Sequence, residues 1–564
     1  MYLLYVTIAG MPNHAELLEI LLRNRGISAS DADKFLNPNY ETDIYDPYLL
    51  KDMERACVRI FEAVEAKEKI VVYSDYDCDG IPAAVIMHDF FTKIGYENFL
   101  VYIPDRHLEG YGLNKEAVDE FIKTDVKLVI TFDLGITAVE EVATATANGI
   151  DVIITDHHLP HEHIPKAYAI INPKQSDCSY PDDMLCGAGL AFKLVQGLIK
   201  KYGEYWNIQN GWEKWLLDMA GLATIADQVP LLHENRVLAF YGLKVLQKAR
   251  RPGLAELLKK ANVDPKNIIE DDVGFTIAPK LNAASRMDSP MRAFELLSTT
   301  DLVQAKTLAS HLDKINTERK TIVAHIMKDV KHKMQAREEK EIIVIGNPDW
   351  RVGVLGLVAS KIAEEYKKPV FVWGQEGSDT IRGSCRTWGS VNVVELMTGL
   401  PENSLLEFGG HVGAGGFAVS HTEVHFLEER LNIVHSNIIS NKTEDTEENN
   451  NSYMIDASIT LDDVNNDNYK VIEKMAPFGM GNPKPIFKFE NIQIAGLKEF
   501  GKEKNHLELV FLDSRRRTIK AIAFFKTRET FKLNDGDRIN LLATFEKSFF
   551  AGRTELRLRI VDIV

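Results

Sequence analysis

The sequence predicts two α/β lobes joined by a long helix and followed by a small all-β domain. Three observations carry this prediction. Over about the first 240 residues, short apolar runs alternate with helical patterns, which is typical of a parallel sheet with helices on both faces. The stretch from Leu302 to Glu341 has a helical apolar period and contains no Gly or Pro. About the last 110 residues hold five short alternating strands, for which an OB-fold is the natural candidate.

Composition is that of an ordinary globular protein, with 564 residues, 45% hydrophobic and 26% charged. No apolar run approaches the roughly 20 residues of a membrane span, and the N-terminus lacks the basic region and cleavage site of a signal peptide. The five cysteines show no C-x-x-C pairing, which argues against a disulfide framework and a thiolate zinc site. We therefore expect a cytoplasmic protein with no membrane partner.

The charge is unevenly distributed along the chain. The formal net charge is −16, which by itself does not indicate a nucleic-acid binder. However, the segment from Ser452 to Val564 holds 19 basic and 16 acidic residues, so it is slightly positive while the rest of the chain is strongly acidic. The C-terminal segment therefore differs in character from what precedes it.

These patterns divide the chain into six predicted parts. The segment "NKTEDTEENNNS" is polar and acidic with no apolar content, so we interpret it as a linker. The predicted parts are an N-terminal segment 1–48, a first lobe 49–300, a connecting helix 301–341, a second lobe 342–440, a linker 441–452 and the β domain 453–564.

The stretch "VVYSDYDCDG" places Asp75, Asp77 and Asp79 directly behind a buried apolar run. D-x-D-x-D-G also begins a calcium-binding EF-hand loop, but that loop needs a Glu at its twelfth position, where this chain has Ile86. An EF-hand also needs a helix in front, whereas "KIVVYS" is typical of a buried strand. An EF-hand is therefore excluded.

Acidic and histidine residues follow two further predicted strands. Asp133 follows "KLVITF", and Asp156, His157 and His158 follow "DVIIT". One Asp after a strand is usually a cap, and paired histidines are usually surface or core residues, but capping alone hardly explains such residues at successive strand ends. Ligands bind beyond the carboxyl ends of parallel strands, and carboxylates with imidazole suit Mn²⁺ or Mg²⁺. We therefore expect a site for two ions that activate water for attack on phosphorus.

Several motifs resemble a known family. "DYDCDG", "PDRHLEGYGLN", "FDLGI" and "TDHH" are similar to successive motifs of the DHH phosphoesterases, and "GGHVGAGGF" is similar to the glycine-rich signature of their companion DHHA1 domain. "IADQVPL", "APKLNAASRM", "VGVLGLVASKIAEEY" and "APFGMGNPKPIF" resemble the branch of bacterial single-strand-specific exonucleases. The resemblance covers nearly the whole chain from about Lys34 and implies that the two lobes are a DHH and a DHHA1 domain.

The resemblance implies roles for residues of the first lobe. Asp133 would bridge two ions, and His158 would polarise the scissile phosphate or, alternatively, orient a ligand. Asp79 would bind metal through water or close the turn, and Asp156 would hold a histidine ring. The implied metal ligands are Asp75, Asp77, Asp133, His157 and Asp227.

In the second lobe the resemblance implies contacts with substrate. Ser384 and Arg386, at i and i+2, would face the 5′ phosphate of the strand, with Arg106 reaching it from the first lobe. In "GGHVGAGGF", either backbone N–H groups contact phosphates or the glycines form a tight buried turn. The implied nucleic-acid-binding residues are Arg106, Arg286, Ser384, Arg386, Gly409, Gly410 and His411.

The C-terminal domain offers two interpretations. "SRRRTIK" and the phenylalanines at 524, 525, 549 and 550 could bind single strands by charge and stacking, or the aromatics are core and the arginines a solvated turn. Three residues depart from the family pattern without removing an implied metal ligand. They are Ser74 in place of Gly, Lys280 in place of Arg and Arg351 in place of His.

The function implied is a 5′→3′ exonuclease on single-stranded DNA that releases mononucleotides with two Mn²⁺ or Mg²⁺ ions, in recombination and repair. A single-strand-binding protein and a helicase are the implied partners, and a monomer is expected. One alternative is a DHH phosphodiesterase of short oligoribonucleotides or cyclic dinucleotides, which generally lacks the long helix and the C-terminal domain. Another is a non-catalytic replication scaffold, which would lose metal ligands that this chain retains. An inorganic pyrophosphatase fits least.

Overall fold

The structure, a computed structural model, describes residues 14–335, 337–377, 380–441, 453–501, 503–550 and 553–564. The predicted linker lies, apart from Asn441, outside these residues. Among the described residues, no helix combines the length and the apolar character needed to cross a membrane. The helices up to the connecting helix are α1 (His14–Asn24), α2 (Ala32–Leu36), α3 (Tyr40–Asp43), α4 (Met53–Glu65), α5 (Gly80–Lys93), α6 (Lys115–Lys123), α7 (Val139–Ala147), α8 (Gly187–Tyr202), α9 (Leu217–Ala226), α10 (His233–Leu246), α11 (Pro252–Lys260), α12 (Glu270–Asp272), α13 (Ala278–Met287) and α14 (Met291–Ser298).

The first lobe contains a five-stranded parallel sheet in the order β2-β1-β3-β4-β5. Its strands are β1 (Ile70–Ser74), β2 (Phe99–Tyr102), β3 (Leu128–Phe132), β4 (Asp151–Thr155) and β5 (Ala169–Ile171). Every residue of β1 and β3 is buried, as their β-branched and aromatic runs predict. The strand order reverses between β1 and β3, and such a switch point opens a crevice at the carboxyl ends of the strands.

The connecting helix α15 (Leu302–Gln335) is shorter than the predicted 301–341. Beyond it, Arg337 and Lys340 both form ion pairs with Glu428 of the second lobe. These pairs hold the charged "REEKE" segment against another helix, α18 (Leu427–Asn441), instead of extending α15. Helical propensity was the sole signal in that segment, and contacts with the second lobe override it.

The second lobe has a mixed five-stranded sheet in the order β6-β7-β8-β10-β9. Only β6 and β7 are parallel, and the other pairs are antiparallel. The elements are β6 (Ile343–Gly346), α16 (Leu355–Tyr366), β7 (Val370–Gly374), β8 (Ile381–Arg386), α17 (Val393–Thr398), β9 (Glu407–His411), β10 (Ala414–Val419) and α18.

The C-terminal domain is built on seven described strands rather than five, in the order β11-β12-β16-β17-β15-β14-β13. The predicted strand "IFKFENIQIAG" divides into β12 and β13, because Ile494 between them bonds to Gly536 and Asp537 of a neighbouring loop. The elements are β11 (Ala457–Ser458), α19 (Asn466–Glu473), β12 (Phe487–Gln493), β13 (Gly496–Phe500), β14 (His506–Leu512), β15 (Thr518–Ala523), α20 (Arg528–Phe531), β16 (Arg538–Phe550) and β17 (Arg553–Ile563).

The N-terminal helix α1 packs on the core of the C-terminal domain, a contact that the sequence did not predict. Leu17 and Leu21 are fully buried in that core together with Phe487 and Leu541. Arg25, just after α1, forms a buried ion pair with Asp456 at 2.9 Å. The two ends of the described chain are therefore joined in one hydrophobic unit.

Candidate metal centre and nucleic-acid cleft

The candidate metal centre lies at the carboxyl ends of β1, β3 and β4. Asp75 follows β1, Asp133 follows β3, and the Asp156–His158 run follows β4. Because these parallel strands are neighbours, their final residues meet at one edge of the sheet. Asp133 adopts a left-handed backbone (φ 62°), which turns the chain sharply as soon as β3 ends.

Ligand-type atoms of these residues form three overlapping groups, each within 4.8 Å. The groups are Asp75, Asp77 and Asp133; Asp79, His157 and Asp227; and Asp133, His157 and His158. His157 Nε2 lies 3.1 Å from Asp133 Oδ1, 3.6 Å from Asp79 Oδ2 and 3.9 Å from Asp227 Oδ2. The structure thus brings all five predicted ligands together, with Asp133 shared between two groups.

Asp79 is held by the first turn of helix α8. Its Oδ2 accepts a hydrogen bond from Gly187 N at 2.5 Å, and its Oδ1 accepts one from Ala188 N at 2.8 Å. These N–H groups lie at the positive end of the helix dipole, which stabilises a carboxylate. The turn beside Asp79 is closed by Asp77, whose Oδ1 accepts from Asp79 N and Gly80 N. Asp79 therefore has a partner that neither sequence interpretation foresaw.

Burial and mutual repulsion raise the pKa of several carboxyl groups. Burial is the largest cause, followed by neighbouring carboxylates, and together they raise the pKa of Asp75 and Asp133 well above the usual range. The same causes raise the pKa of Asp79 to about 6 and that of Asp227 to about 9. A buried cluster of this many carboxyl groups needs a compensating positive charge to be ionised.

The two histidines differ in protonation. Burial, then the charge of His158, lowers the pKa of His157 to about 3, so its imidazole is neutral and its nitrogen can donate a lone pair. Burial also opposes protonation of His158, but the hydrogen bond from His158 Nδ1 to Asp156 Oδ1 at 2.8 Å outweighs it and raises the pKa. Asp156 also accepts hydrogen bonds from the backbone N–H groups of Ile136 and His157, which fixes its orientation.

The residues fit divalent cations. Asp75 Oδ1 is buried and has no hydrogen-bond partner in the protein, although native buried oxygens nearly always have one. The carboxylates border an open cavity of about 300 Å³, which also contacts His157 and His158. Hard carboxylate oxygens with one or two imidazoles form the donor set that Mn²⁺ and Mg²⁺ accept.

A cluster of arginines lies on the other side of this cavity. Burial, then the charges of Arg106, Arg319 and Arg386, lowers the pKa of Arg286 to about 9. The Arg319 Nε atom is buried without a hydrogen-bond partner. Arg106 lies over the Tyr76 ring at 4.8 Å, so its charge is held at the cavity wall. Cations gathered in this way at such a site favour an anion of several charges, such as a phosphate.

Ser384 and Arg386 of β8 join this cluster from the second lobe. Arg386 Nη1 donates to Ser384 Oγ at 3.0 Å, so the two side chains lie on one face. The first turn of α16 packs against them, since a Cβ on Gly356 would lie 3.0 Å from Arg386 Nη2 and 3.2 Å from Ser384 Oγ. The side chains of Arg386 and Ser384 therefore lie together with the N-terminus of α16.

His411 links the second lobe to the metal centre. It is the last residue of the exposed edge strand β9, and its ring stacks on that of His158 with centroids 6.2 Å apart. Gly409 and Gly410 precede it on the same strand, and they pair with Gly416 and Gly415 of β10. The glycine-rich run is thus an exposed edge ribbon rather than a buried turn.

Comparison with known proteins identifies the family of this chain. Family models match as the DHH family N-terminal domain over residues 69–224, the DHHA1 domain over 339–438 and the RecJ OB domain over 455–562. The single-stranded-DNA-specific exonuclease RecJ of Bacillus subtilis is 33% identical over 97% of this chain and 67% of that protein. The corresponding protein of Haemophilus influenzae is 31% identical over 99% of this chain and 98% of its own length. The chain belongs to the RecJ family.

Structures of RecJ proteins confirm the predicted fold class. RecJ of Thermus thermophilus in complex with Mn²⁺ superimposes with a TM-score of 0.79 at 25% identity, covering 99% of this chain and 79% of that one. An exonuclease RecJ bound to manganese superimposes with a TM-score of 0.61 at 32% identity, covering 69% and 95% respectively. The predicted resemblance to the DHH and DHHA1 phosphoesterases is likewise confirmed.

Tyr111 and Asn282 line the cavity of this RecJ-family chain and, like Tyr76, were not singled out from the sequence. Tyr111 donates a hydrogen bond to Asp133 O at 3.0 Å, and its hydroxyl lies 3.2 Å from His158 Nδ1. Asn282 lines the cavity, and its Oδ1 is buried without a hydrogen-bond partner. Both belong to quoted motifs, "EGYGLN" and "NAASRM", so the signal was present, but their chemistry is less distinctive than that of acids and histidines.

The three residues that we expect to depart from the family pattern all have partners. Ser74 Oγ donates to Gly80 O at 2.6 Å and ties the end of β1 to the start of α5. Lys280 forms an ion pair with Asp313 and joins α13 to α15. Arg351 Nη2 donates to Met287 O at 3.0 Å, and its guanidinium also lies near Glu318 and Glu376. Arg351 therefore spans from the second lobe to the first.

The predicted single-strand surface of the C-terminal domain divides into two places. The arginine run lies at the β14–β15 turn, where Arg517 forms an ion pair with Asp513. Phe524 and Phe525 lie at the opposite end of this hairpin, about 20 Å away for six strand residues. Phe525 is 80% exposed, and Arg559 lies over the Phe524 ring at 4.1 Å. The side chains of Phe549 and Phe550 lie outside the described part.

Proposed function

We propose that this chain degrades single-stranded DNA from its 5′ end and releases 5′-mononucleotides, using two divalent ions, Mn²⁺ or Mg²⁺. The observation that carries the proposal is the three-group cluster of aspartates and histidines facing a cluster of arginines across one cavity. Membership of the RecJ family supports the substrate, because the relatives are named single-stranded-DNA-specific exonucleases. Its solved members hold manganese or magnesium.

The metal assignment follows the groups of ligand atoms. Asp75 and Asp77 would hold the first ion, and His157 and Asp227 would hold the second. Asp133 would contact both ions. Asp79 Oδ2 lies 3.6 Å from His157 Nε2, beside the site of the second ion. When bound, the ions would lower the pKa of a water and neutralise charge developing on the phosphate. Burial of most of the ligand side chains lowers the local dielectric constant and strengthens these electrostatic effects.

His158 acts on the phosphate oxygens in this proposal. Its ring borders the cavity, and the hydrogen bond to Asp156 holds it and favours its protonated form. A protonated imidazole beside a phosphodiester donates a hydrogen bond as negative charge develops on oxygen. Asp156 therefore acts as a positioning residue for His158, as the resemblance implied for a histidine.

The arginine cluster supports the proposed choice of strand end. Arg106, Arg286 and Arg386, with Ser384 and the N-terminus of α16, would bind a terminal 5′ phosphate and so set the length of the released product to one nucleotide. From β9, the backbone of Gly409 and Gly410 and the ring of His411 would contact the other side of the bound DNA strand. Exposed Phe525 and the neighbouring Arg559 would hold the strand farther along by stacking and charge.

The setting of this activity is also a proposal. We expect a monomer in the cytoplasm that acts in DNA recombination and repair. A helicase would supply the unwound strand and a single-strand-binding protein would present it.

The test measures cleavage of a 3′-labelled single-stranded oligonucleotide with Mn²⁺ by the native chain and by Asp133→Asn. The matched control is Asp119→Asn, on an exposed helix surface. We expect stepwise shortening from the 5′ end by the native and control chains, none by Asp133→Asn and none on blunt duplex. Shortening of very short RNA alone would instead favour the small-substrate phosphodiesterase. Activity that survives in Asp133→Asn would contradict the metal assignment.

A further inference from the structure

The loop that carries Asp227 lies against the C-terminal domain. This loop, 227–232, joins α9 to α10, and Leu231 N donates a hydrogen bond to Met480 O at 2.8 Å. Met480 belongs to the segment 476–483 of the C-terminal domain, which we call the 476–483 loop. A candidate metal ligand is thus four residues from a backbone contact with another domain.

The contact between the two loops is tight. A Cβ on Gly479 would lie 2.8 Å from Leu231 Cδ1, and one on Gly481 would lie 3.1 Å from Leu232 and 3.2 Å from Pro230. Leu231 is 1% exposed, so its side chain has little room to move away. The absence of side chains on the two glycines lets the 476–483 loop approach the Asp227 loop this closely.

The 476–483 loop is itself held in one conformation. Asn482 is fully buried, and its Nδ2 donates to Met475 O at 2.8 Å and to Pro477 O at 2.9 Å. Its Oδ1 accepts from Arg25 Nε at 2.9 Å, which connects the loop to the N-terminal helix α1. The loop is therefore a rigid support rather than a flexible tether.

Arg236, beyond the other end of the Asp227 loop, connects the 476–483 loop to the catalytic lobe. It lies on α10, four residues after Leu232, and donates to the carbonyls of Met475 and Ala476 at 3.0 and 2.8 Å. It also donates to Phe35 O at 2.6 Å and lies over the Phe35 ring. Arg236 therefore joins the catalytic lobe, the N-terminal segment and the C-terminal domain.

Asp227 itself is weakly held within the catalytic lobe. Its carboxylate is 3.9 Å from His157 Nε2, compared with 3.1 Å for Asp133, and its side chain is 27% exposed. It follows the last residue of α9, and its backbone N–H makes a last helical hydrogen bond to Ala223 O at 2.8 Å. The chain before Asp227 is therefore held by α9, and the position of its carboxylate depends also on the loop that follows.

We propose that the 476–483 loop of the C-terminal domain positions Asp227, so that the cation subsite of Asp79, His157 and Asp227 reaches full affinity only when that domain is docked. The inference rests on the proposed function, because it takes Asp227 as a metal ligand. Gly479 and Met480 are positioning residues in this scheme, and the ligand they serve is a divalent cation. The C-terminal domain then contributes to the metal centre as well as to the grip on DNA.

The experiment measures Mn²⁺ binding by titration calorimetry in the full chain without DNA. Gly479→Val places a side chain against Leu231 and should weaken Mn²⁺ binding at the subsite of Asp79, His157 and Asp227 about tenfold, as loss of a supporting partner typically does. The matched control is Gly496→Val in the same domain, where a Cβ would meet nothing closer than 3.7 Å. Adding Leu231→Ala to Gly479→Val makes room for the new side chain and should return the affinity to within about threefold of the native value.

Binding of a single-stranded oligonucleotide in EDTA provides the second readout. It should be unchanged in Gly479→Val, and exonuclease activity should recover as the Mn²⁺ concentration is raised. Superimposable Mn²⁺ titrations for Gly479→Val and Gly496→Val, lost DNA affinity with unchanged Mn²⁺ affinity, or failure of the Leu231→Ala rescue would each overturn the inference.

Asp227→Asn separates this inference from the function on which it rests. If Asp227→Asn weakens Mn²⁺ binding and Gly479→Val does not, the positioning role alone is wrong. If Asp227→Asn leaves both Mn²⁺ sites unchanged, the metal role of Asp227 fails, and the inference fails with it.

Discussion

At the scale of single residues, the chemistry is set by where each side chain leaves the sheet. Asp133 leaves β3 through a left-handed turn, which directs its carboxylate toward both His157 and the Asp75–Asp77 pair. His157 and His158 are adjacent in sequence, yet one faces three carboxylates and the other pairs with Asp156. Their different surroundings imply different roles, which substitutions can separate.

Replacing His157 by Gln should weaken Mn²⁺ binding, because a neutral ligand nitrogen is lost. Replacing His158 by Gln should keep Mn²⁺ affinity within about threefold but lower kcat by about 10²- to 10⁴-fold, the range typical of acid–base and hydrogen-bonding groups. Calorimetry of Mn²⁺ binding and steady-state cleavage of a single-stranded oligonucleotide measure the two effects. Equal loss of Mn²⁺ affinity in both variants would contradict the division of roles.

The raised carboxyl pKa values predict that Mn²⁺ binding releases protons. With a pKa of about 9 for Asp227 and about 6 for Asp79, the metal-free cluster retains protons near pH 7. Because only the ionised carboxylates bind the ion, apparent Mn²⁺ affinity should rise as the pH increases from 6 toward 9. Calorimetry in buffers of different ionisation enthalpy measures the released protons. A binding enthalpy that does not depend on the buffer would show that the cluster is already ionised.

At the scale of elements, helix α8 completes the candidate metal centre. Its first turn reaches the Asp79 carboxylate because Gly187 has no side chain, and a Cβ there would lie 2.7 Å from Asp133 Cβ and 3.0 Å from Asp79 Oδ2. The helix thereby supplies N–H groups to an acid that lies 108 residues earlier in the chain. A side chain at position 187 would therefore force neighbouring atoms to shift by at least a few tenths of an ångström.

Gly187→Ala should therefore displace α8 or Asp133 and lower activity at least tenfold, with weaker Mn²⁺ binding. Gly189→Ala, two residues along the same helix, is the control, because its Cβ would meet only ordinary contacts of 3.6 Å or more. Alanine also favours a helix over glycine by up to about 1 kcal/mol, so Gly189→Ala should keep full activity and stability. Cleavage rates and Mn²⁺ titrations of the two variants decide the point, and equal behaviour would argue against a tight contact at Gly187.

At the scale of the whole molecule, the cleft lies between two lobes that share an apolar core cluster and are also joined by polar contacts. His411 stacks on His158 across the cavity, and Arg351 bridges from the second lobe to Met287 of the first lobe and to Glu318 of the connecting helix α15. The arginine cluster likewise takes members from both lobes. Substrate binding therefore depends on how the lobes are held together.

Arg351→Met should loosen this arrangement without touching the metal ligands. Loss of a bond worth about 1 kcal/mol predicts a KM for single-stranded DNA about fivefold higher, with Mn²⁺ affinity unchanged. Arg292→Met, which removes an exposed ion pair within one helix, is the control. Steady-state kinetics at saturating Mn²⁺ measure KM, and a KM equal to that of the control would exclude a role for Arg351 in holding the lobes.

The sequence by itself determined the sheet of the first lobe and most of the residues that meet at the candidate metal centre. Apolar runs identified β1, β3 and β4, and the carboxyl ends of parallel strands share one edge, so the residues that follow them had to meet. Tertiary structure alone decided the partner of Asp79, the cavity positions of Tyr111 and Asn282, the end of α15, and the support of Asp227 by the C-terminal domain. Each of these depends on contacts between residues far apart in the chain, which local pattern and propensity do not encode.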